Sequence, residues 1–471
     1  MLLNSRSQAL FSTANALLFV PANLKNEQPP NRTGVNLLKT YRIPAVLAAT
    51  IIAPALIGIL LFALLERPGP DTKDKIVLAH DKGAMPAFQQ SFARQADKAA
   101  EAAGYGFDPV ASETTDLFIS QMKAGLPTRD APEMFVWWAG ERVRQLVENE
   151  LVIDITHLWD KHSGEYPASI REAYTMDGKV YGFPYSIEYW PVWYNKPLFE
   201  RLNIKEPETW PEFIRACEVL KAHSIPPVLS SLQQQWYAFV WFEELLIGED
   251  PDFYERLCRG KARYDAPQVR KAFALWGDMI RKGYFTEPGA HMFTNAGHMW
   301  HTEQFGMVLC GSWYYSTVLL PQGVKAADIG SFILPSHNPD AGRNIVMESG
   351  PVFTARNANR KEAAEKIVDW WMGPEGSRHF ARIFKTYSAN RHVGAGHLPA
   401  AKRRIDSMIK AQNYRILNRY WEAAPSPVVS RAIDLFARFI LNPDEVDPVI
   451  RGLVAAAEAE GADKSPGPAR E

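Results

Sequence analysis

An α/β fold of two lobes is the architecture that the sequence predicts, and three observations carry it. The chain has 471 residues, more than one ordinary core accommodates, so at least two lobes with room for extensions are expected. Short apolar segments alternate with helix-periodic ones over most of that length, the pattern of a mostly parallel sheet covered on both faces. Two stretches, 184–196 (PYSIEYWPVWYNK) and 305–313 (FGMVLCGSW), mix strand formers with aromatic residues and contain no nucleophile-and-base set. Such segments build an aromatic-lined cleft between lobes.

Composition narrows the function classes. Apolar residues at 46% and charged residues at 22% are ordinary for a folded domain in water. Lys and Arg (52) balance Asp and Glu (53), so no basic field exists to gather nucleic acid, which is excluded as a partner. Three cysteines, Cys217, Cys258 and Cys310, describe no disulfide framework and read as buried apolar side chains.

From the amino terminus, residues 1–42 read as a cytoplasmic or disordered leader in which Arg6, Lys25, Arg32, Lys39 and Arg42 face the single acid Glu27. An uncharged run of 23 residues follows at 43–65, long enough to span a bilayer. The basic flank keeps the leader inside and sends the remainder across. No small-x-small cleavage site follows in Ala63-Leu64-Leu65-Glu66-Arg67-Pro68, which favours a transmembrane signal anchor over a signal peptide. Residues 66–74, with Pro68, Gly69 and Pro70, are a linker.

The exported part opens with a strand at 75–80, and Phe88, Phe92, Ala96 and Ala99 then recur at helical spacing up to Gly104. Residues 116–124 are helical, 134–138 are a strand, and a helix runs to Glu148. Ligands of such sheets sit beyond the carboxyl ends of the strands, which places Asp81, Glu113 and Trp138 near one cleft. Strand alternation turns only one of Trp137 and Trp138 into it. Pro184 and Pro191 disfavour a regular central strand over 182–194, as a crossing between lobes would require. Thr209-Trp210-Pro211-Glu212 caps a helix that places Phe213, Cys217 and Leu220 on one face. Further helices are expected at 236–246, 252–258 and 267–281. Residues 304–313 form a strand closing in a Gly turn that presents Trp313, 329–335 form another, and 344–355 are a second crossing. Ala364, Ile367, Val368, Trp371 and Met372 share the buried face of the next helix, and from 399 onward the chain reads as helical.

In order and spacing, 181–185 through 194–196, 305–313 and 329–371 resemble the extracellular solute-binding proteins of ABC importers, in the sugar-binding class typified by maltose-binding protein. The resemblance spans roughly 75–461. It implies the two-lobed periplasmic-binding-protein fold with hinge crossings, here preceded by one transmembrane helix. Lobe I is then 75–183 with 345–388, lobe II is 184–344 with 389–462, and 463–471 is a tail. Trp313 matches the Gly-x-Trp tryptophan that stacks on sugar in that family, and Glu188 matches a carboxylate at the first crossing, with Tyr185 three residues earlier. Trp236, Glu348 and Arg391 are carried over from position alone.

The resemblance implies capture of a carbohydrate, mono- or oligosaccharide, on the periplasmic or extracellular face and its delivery to ABC permease subunits. The residue types suit that ligand, because pyranose faces stack on Trp or Tyr while their hydroxyls bond carboxylates, amides and Arg. A carbohydrate-active hydrolase, or the same fold binding a polyol, a glycerol phosphate ester or a polyamine, are the alternatives. No cofactor motif is present: neither a P-loop, a dinucleotide fingerprint nor a nucleophile elbow occurs. His291, His298, His301 and Glu303 complete no zinc signature. Adjacent Glu243 and Glu244 point apart on a helix and cannot flank one glycosidic bond.

Overall fold

The computed structural model describes residues 75–463. The leader, the apolar run at 43–65, the linker and the residues after 463 lie outside the described part, and the anchor expected there lies outside it too. Among the described residues no helix is long and apolar enough to cross a membrane.

The chain starts with β1 (Lys75–His80), α1 (Pro86–Ala103), β2 (Gly106–Ala111), α2 (Thr115–Gly125) and β3 (Met134–Val136). β1 pairs in parallel with both β2 and β3, from Lys75 opposite Gly106 and from Leu78 opposite Met134. Local chemistry sets the helix ends: Pro86 fits the first turn of α1, and the Thr114 hydroxyl caps α2 by accepting from the Leu117 amide at 3.2 Å. Phe88, Phe92, Ala96 and Ala99 are buried on one face of α1, as their spacing predicts. β3 stops at Val136, two residues short of the predicted strand, and α3 (Glu141–Glu148) follows.

After the small hairpin β4 (Thr175–Met176) and β5 (Lys179–Val180), the chain enters β6 (Gly182–Tyr189). The prolines disfavour a regular central strand, and β6 is an irregular one, off the main strand order and paired along its length with β11 (Asn344–Thr354). The reason is local. Pro184 lies opposite Pro351, the register shifts between Gly350 and Pro351, and among the described residues β11 is the only strand with which β6 forms a ladder. A missing amide donor is tolerated at such an irregular edge.

Beyond β6 the chain builds a second sheet of four strands. These are β7 (Val192–Asn195), β8 (Val228–Leu229), β9 (Met307–Leu309) and β10 (Ile329–Phe332), in the order β10-β7-β9-β8. The helix at Trp210–Ala222 carries the expected capping box, with the Glu212 carboxylate accepting from the Thr209 amide at 3.0 Å. β11 then returns the chain to the first sheet. Its second half pairs with β3, and its first half pairs with β12 (Arg415–Asn418), giving the order β12-β11-β3-β1-β2 with β6 beside β11. β12 corrects the expectation of an all-helical carboxyl-terminal part, because four residues pair in parallel with Asn344–Met347.

Trp371, in the helix Lys361–Met372, is fully buried and stacks on Phe107 at 5.7 Å, so it belongs to the core beneath the first sheet. The helix Ser426–Leu441 closes the second side, with Phe436 stacked on Phe242 at 4.4 Å. All three cysteines are free and buried, and burial pushes their thiols up.

Candidate ligand-binding cleft

Strand ends and the β6–β11 ribbon converge on a cavity of about 90 Å³. Loops after β1 and β2 supply Asp81, Lys82, Glu113 and Thr115 from the first side. The ribbon forms the floor with Tyr185, Ser186, Glu188 and Glu348. Trp236, Phe293 and Trp313 form the wall on the second side, and Arg419 and Trp421 complete the lining after β12.

Eight of the nine sequence-predicted residues, Asp81, Glu113, Trp138, Tyr185, Glu188, Trp236, Trp313 and Glu348, meet in this cavity. Arg391 does not. It is exposed and borders a second space of about 540 Å³, which shares Glu348 and Ser349 with the first and also takes Ile187 and Tyr189 from the other face of β6. Beside Arg391, the buried Asn390 side-chain amide donates to Glu165 Oε2 at 2.7 Å and to the Met372 carbonyl at 2.9 Å. Both Trp137 and Trp138 line the cavity, where only one was expected. β3 has already ended at Val136, so strand alternation no longer governs them.

Trp313 has the most constrained setting. Its ring stacks on Phe293 with centroids 6.1 Å apart and meets Trp236 at 6.4 Å. Its indole N–H donates to one oxygen of Glu348. A Cβ at Gly311 would stand 2.4 Å from that indole nitrogen and 3.0 Å from Glu348 Oε1, so only glycine lets the turn approach this closely. The Gly-x-Trp spacing thus has a steric cause.

Apart from Glu113, the charged groups lining the cavity are matched. Asp81 is buried, pairs with Lys82 at 2.9 Å and accepts from the Thr115 hydroxyl at 3.0 Å. Glu113 stays exposed. Arg419 bridges two acids, donating to the second oxygen of Glu348 and through two nitrogens to Glu422, at 2.9 Å and 2.5 Å. Burial pushes the Glu348 carboxyl up to about 7, against the pull of Arg419. The folded protein therefore keeps a proton on Glu348 that the unfolded chain releases near 4.5, and this group favours folding less as the pH climbs through that window. Melting temperatures compared between wild type and Glu348→Gln are expected to diverge in the variant's favour from about pH 5 to pH 8. Parallel curves would assign the proton to another group.

Glu188 is a different case. Although it borders the cavity, its carboxylate accepts from the hydroxyls of Ser312 and Thr386, and Lys402 stands 3.5 Å away with both side chains essentially excluded from solvent. Burial lowers the Lys402 ammonium, and Glu188 raises it again. Ser312 also accepts from the Tyr189 amide at 3.2 Å, so the Glu188 cluster ties β6 to the turn that carries Trp313. Its oxygens are committed to protein donors.

Sequence reasoning missed Arg419, Trp421, Phe293 and Lys82. The run Asn418-Arg419-Tyr420-Trp421-Glu422, aromatic and charged at once, was the available signal, masked by reading the region as one helical tract. Among the described residues no cluster of His, Cys, Asp and Glu is arranged to hold a metal ion. Glu303, one of the metal-ligand candidates, pairs with Arg201.

Comparison with known proteins agrees with this fold. The chain is 27% identical over 215 residues to an uncharacterized ABC transporter extracellular-binding protein of Pyrococcus horikoshii, covering 44% of this chain and 49% of that one. It is 24% identical over 227 residues to the multiple sugar-binding protein of Streptococcus mutans, covering 46% and 51%. The match thus spans about half the length of these curated relatives. Among solved structures, the bacterial solute receptor AcbH, described as exclusive for β-D-galactopyranose, superposes with a TM-score of 0.73 at 18% identity, over 83% of this chain and 98% of the receptor. The profile of the bacterial extracellular solute-binding proteins matches residues 94–402, well over half of the chain, and the protein belongs to that family.

Proposed function

We propose that the protein captures a neutral carbohydrate, a mono- or short oligosaccharide, in this cleft and delivers it to the permease of an ABC importer at the extracytoplasmic face, anchored through residues 43–65. One observation carries the reading. Aromatic rings stand on both walls, Trp313 with Phe293, Trp236 and Trp421 on one and Trp138 with Trp137 on the other, and every cation lining the cavity is already matched by a carboxylate. Rings offer faces for a pyranose to stack on, and the polar floor offers partners for its hydroxyls. Matched cations leave no free positive charge for a phosphate ester, and among the lining acids only Glu113 is left unmatched for a polyamine. The AcbH ligand and the name of the Streptococcus mutans relative support a sugar.

Residues 75–183 with 345–388 would then move against 184–344 with 389–462 by bending at the β6–β11 ribbon. Thermal melting of the protein against a panel of sugars, polyols and polyamines tests the assignment. A ligand at a hundred times its Kd stabilises the native state by about 2.7 kcal/mol. Stabilisation by one or more sugars is expected, and stabilisation by polyamines alone would replace the assignment.

A further inference from the structure

Arg142 sits in the first turn of α3, is only 4% exposed, and makes no ion pair among the described residues. A buried guanidinium with no carboxylate bonded to it, only Glu422 acting on it through space, is unfavourable unless other groups hold it. Two indoles do so here. Its Cζ lies 3.7 Å from the ring centroid of Trp421 and 5.2 Å from that of Trp138, and Nε donates to the Trp421 carbonyl at 3.1 Å. Nη2 has no partner.

These indoles stand on opposite sides of the cleft. Trp138 packs with Phe118 and Trp137 on the first side, whereas Trp421 stacks on Phe239, which belongs to the helical layer over the second sheet. The backbones are also pressed together, because a Cβ at Gly140 would fall 2.3 Å from the Glu422 carbonyl oxygen. On the other rim, Met85 at the start of α1 meets the Thr317 hydroxyl at 3.7 Å. Two rim contacts therefore bracket the cavity, and the Arg142 contact is the one that carries a charge.

We propose that Arg142 is a positioning residue that clamps the cleft closed, its guanidinium held against an indole from each wall so that the edge-on contact of Trp138 with Trp421, centroids 5.4 Å apart, is kept across the cleft. This rests on the reading of the cleft as the ligand site. Opening separates the two indoles and returns the guanidinium to water, so the clamp holds only in the closed form.

The test reads closure at the opposite rim. Met85→Cys and Thr317→Cys are introduced in the full chain, whose native cysteines are buried, and joined by a short thiol-to-thiol crosslinker without ligand and with D-galactose. Adding Arg142→Gln is expected to lower the ligand-free crosslinking yield at least about threefold with the melting temperature held, a separation that a merely structural role would not give. Arg142→Lys keeps the charge but loses the planar stack and the Nε bond, and is expected to fall with Gln. Equal yields in all three proteins, or full rescue by Lys, overturn the clamp. If Arg142→Gln does not fold, Trp421→Leu removes the other half of the contact and is read the same way. Failure of D-galactose to raise the yield with Arg142 in place counts against that sugar as ligand and leaves the ligand-free comparison intact.

Discussion

Replacing Trp313 with Ala is expected to abolish the sugar-induced rise in melting temperature while leaving a folded protein. Trp313 is the indole on which the most independent constraints converge: a stack on Phe293, a hydrogen bond to Glu348, and a turn that only Gly311 permits. An aromatic anchor in a desolvated pocket is typically worth at least about 2 kcal/mol on truncation, roughly thirtyfold in affinity. Trp313→Phe separates the contributions. It keeps a ring over the ligand and drops the bond to Glu348, so part of the affinity should return. Calorimetric titration with whichever sugar stabilises the wild type measures both variants. If Trp313→Ala binds within about twofold of wild type, where a lost anchor predicts far more, Trp313 is wall and not ligand contact.

Lys402→Met is expected to destabilise the protein by about 3–5 kcal/mol, the usual consequence of stranding one member of a buried ion pair. Lys402 and Glu188 are both out of reach of water, and removing the ammonium leaves a carboxylate with hydroxyl donors only. The double variant Glu188→Gln/Lys402→Met should recover most of that loss, since a neutral pair needs no counter-charge. Urea unfolding gives the comparison through the midpoint at constant slope. A loss below about 1 kcal/mol for Lys402→Met would place water or another cation beside Glu188.

How much of this was legible in the sequence depended on whether a contact is local. The spacing of Phe88, Phe92, Ala96 and Ala99, the Thr209–Glu212 cap and the one-sided helix ending at Met372 were readable because three or four residues decide them. The Gly-x-Trp turn was readable for the same reason. Asp81 and Glu113 were placed by a rule about strand ends, and the parallel pairing of β1 with its neighbours obeys that rule.

Other features turned on pairs far apart in the chain. The prolines of β6 argue against a regular central strand, and their accommodation depends on Pro351, opposite Pro184 where the register with β11 shifts. Glu188 carries the residue type of a ligand carboxylate, yet Ser312, Thr386 and Lys402 arrive from three distant segments and occupy it. Arg391 was placed by family position, and it borders the second space instead of the cavity.

By itself, then, the sequence determined the alternation of strands and helices, the two aromatic segments and eight of the residues that line the cleft, because periodicity and turn chemistry act over a few residues. Only the tertiary structure decided which of those residues are free to meet a ligand. Charge matching, ring stacking and the close approach of Gly140 to Glu422 depend on segments up to hundreds of residues apart, and no local pattern encodes such partners.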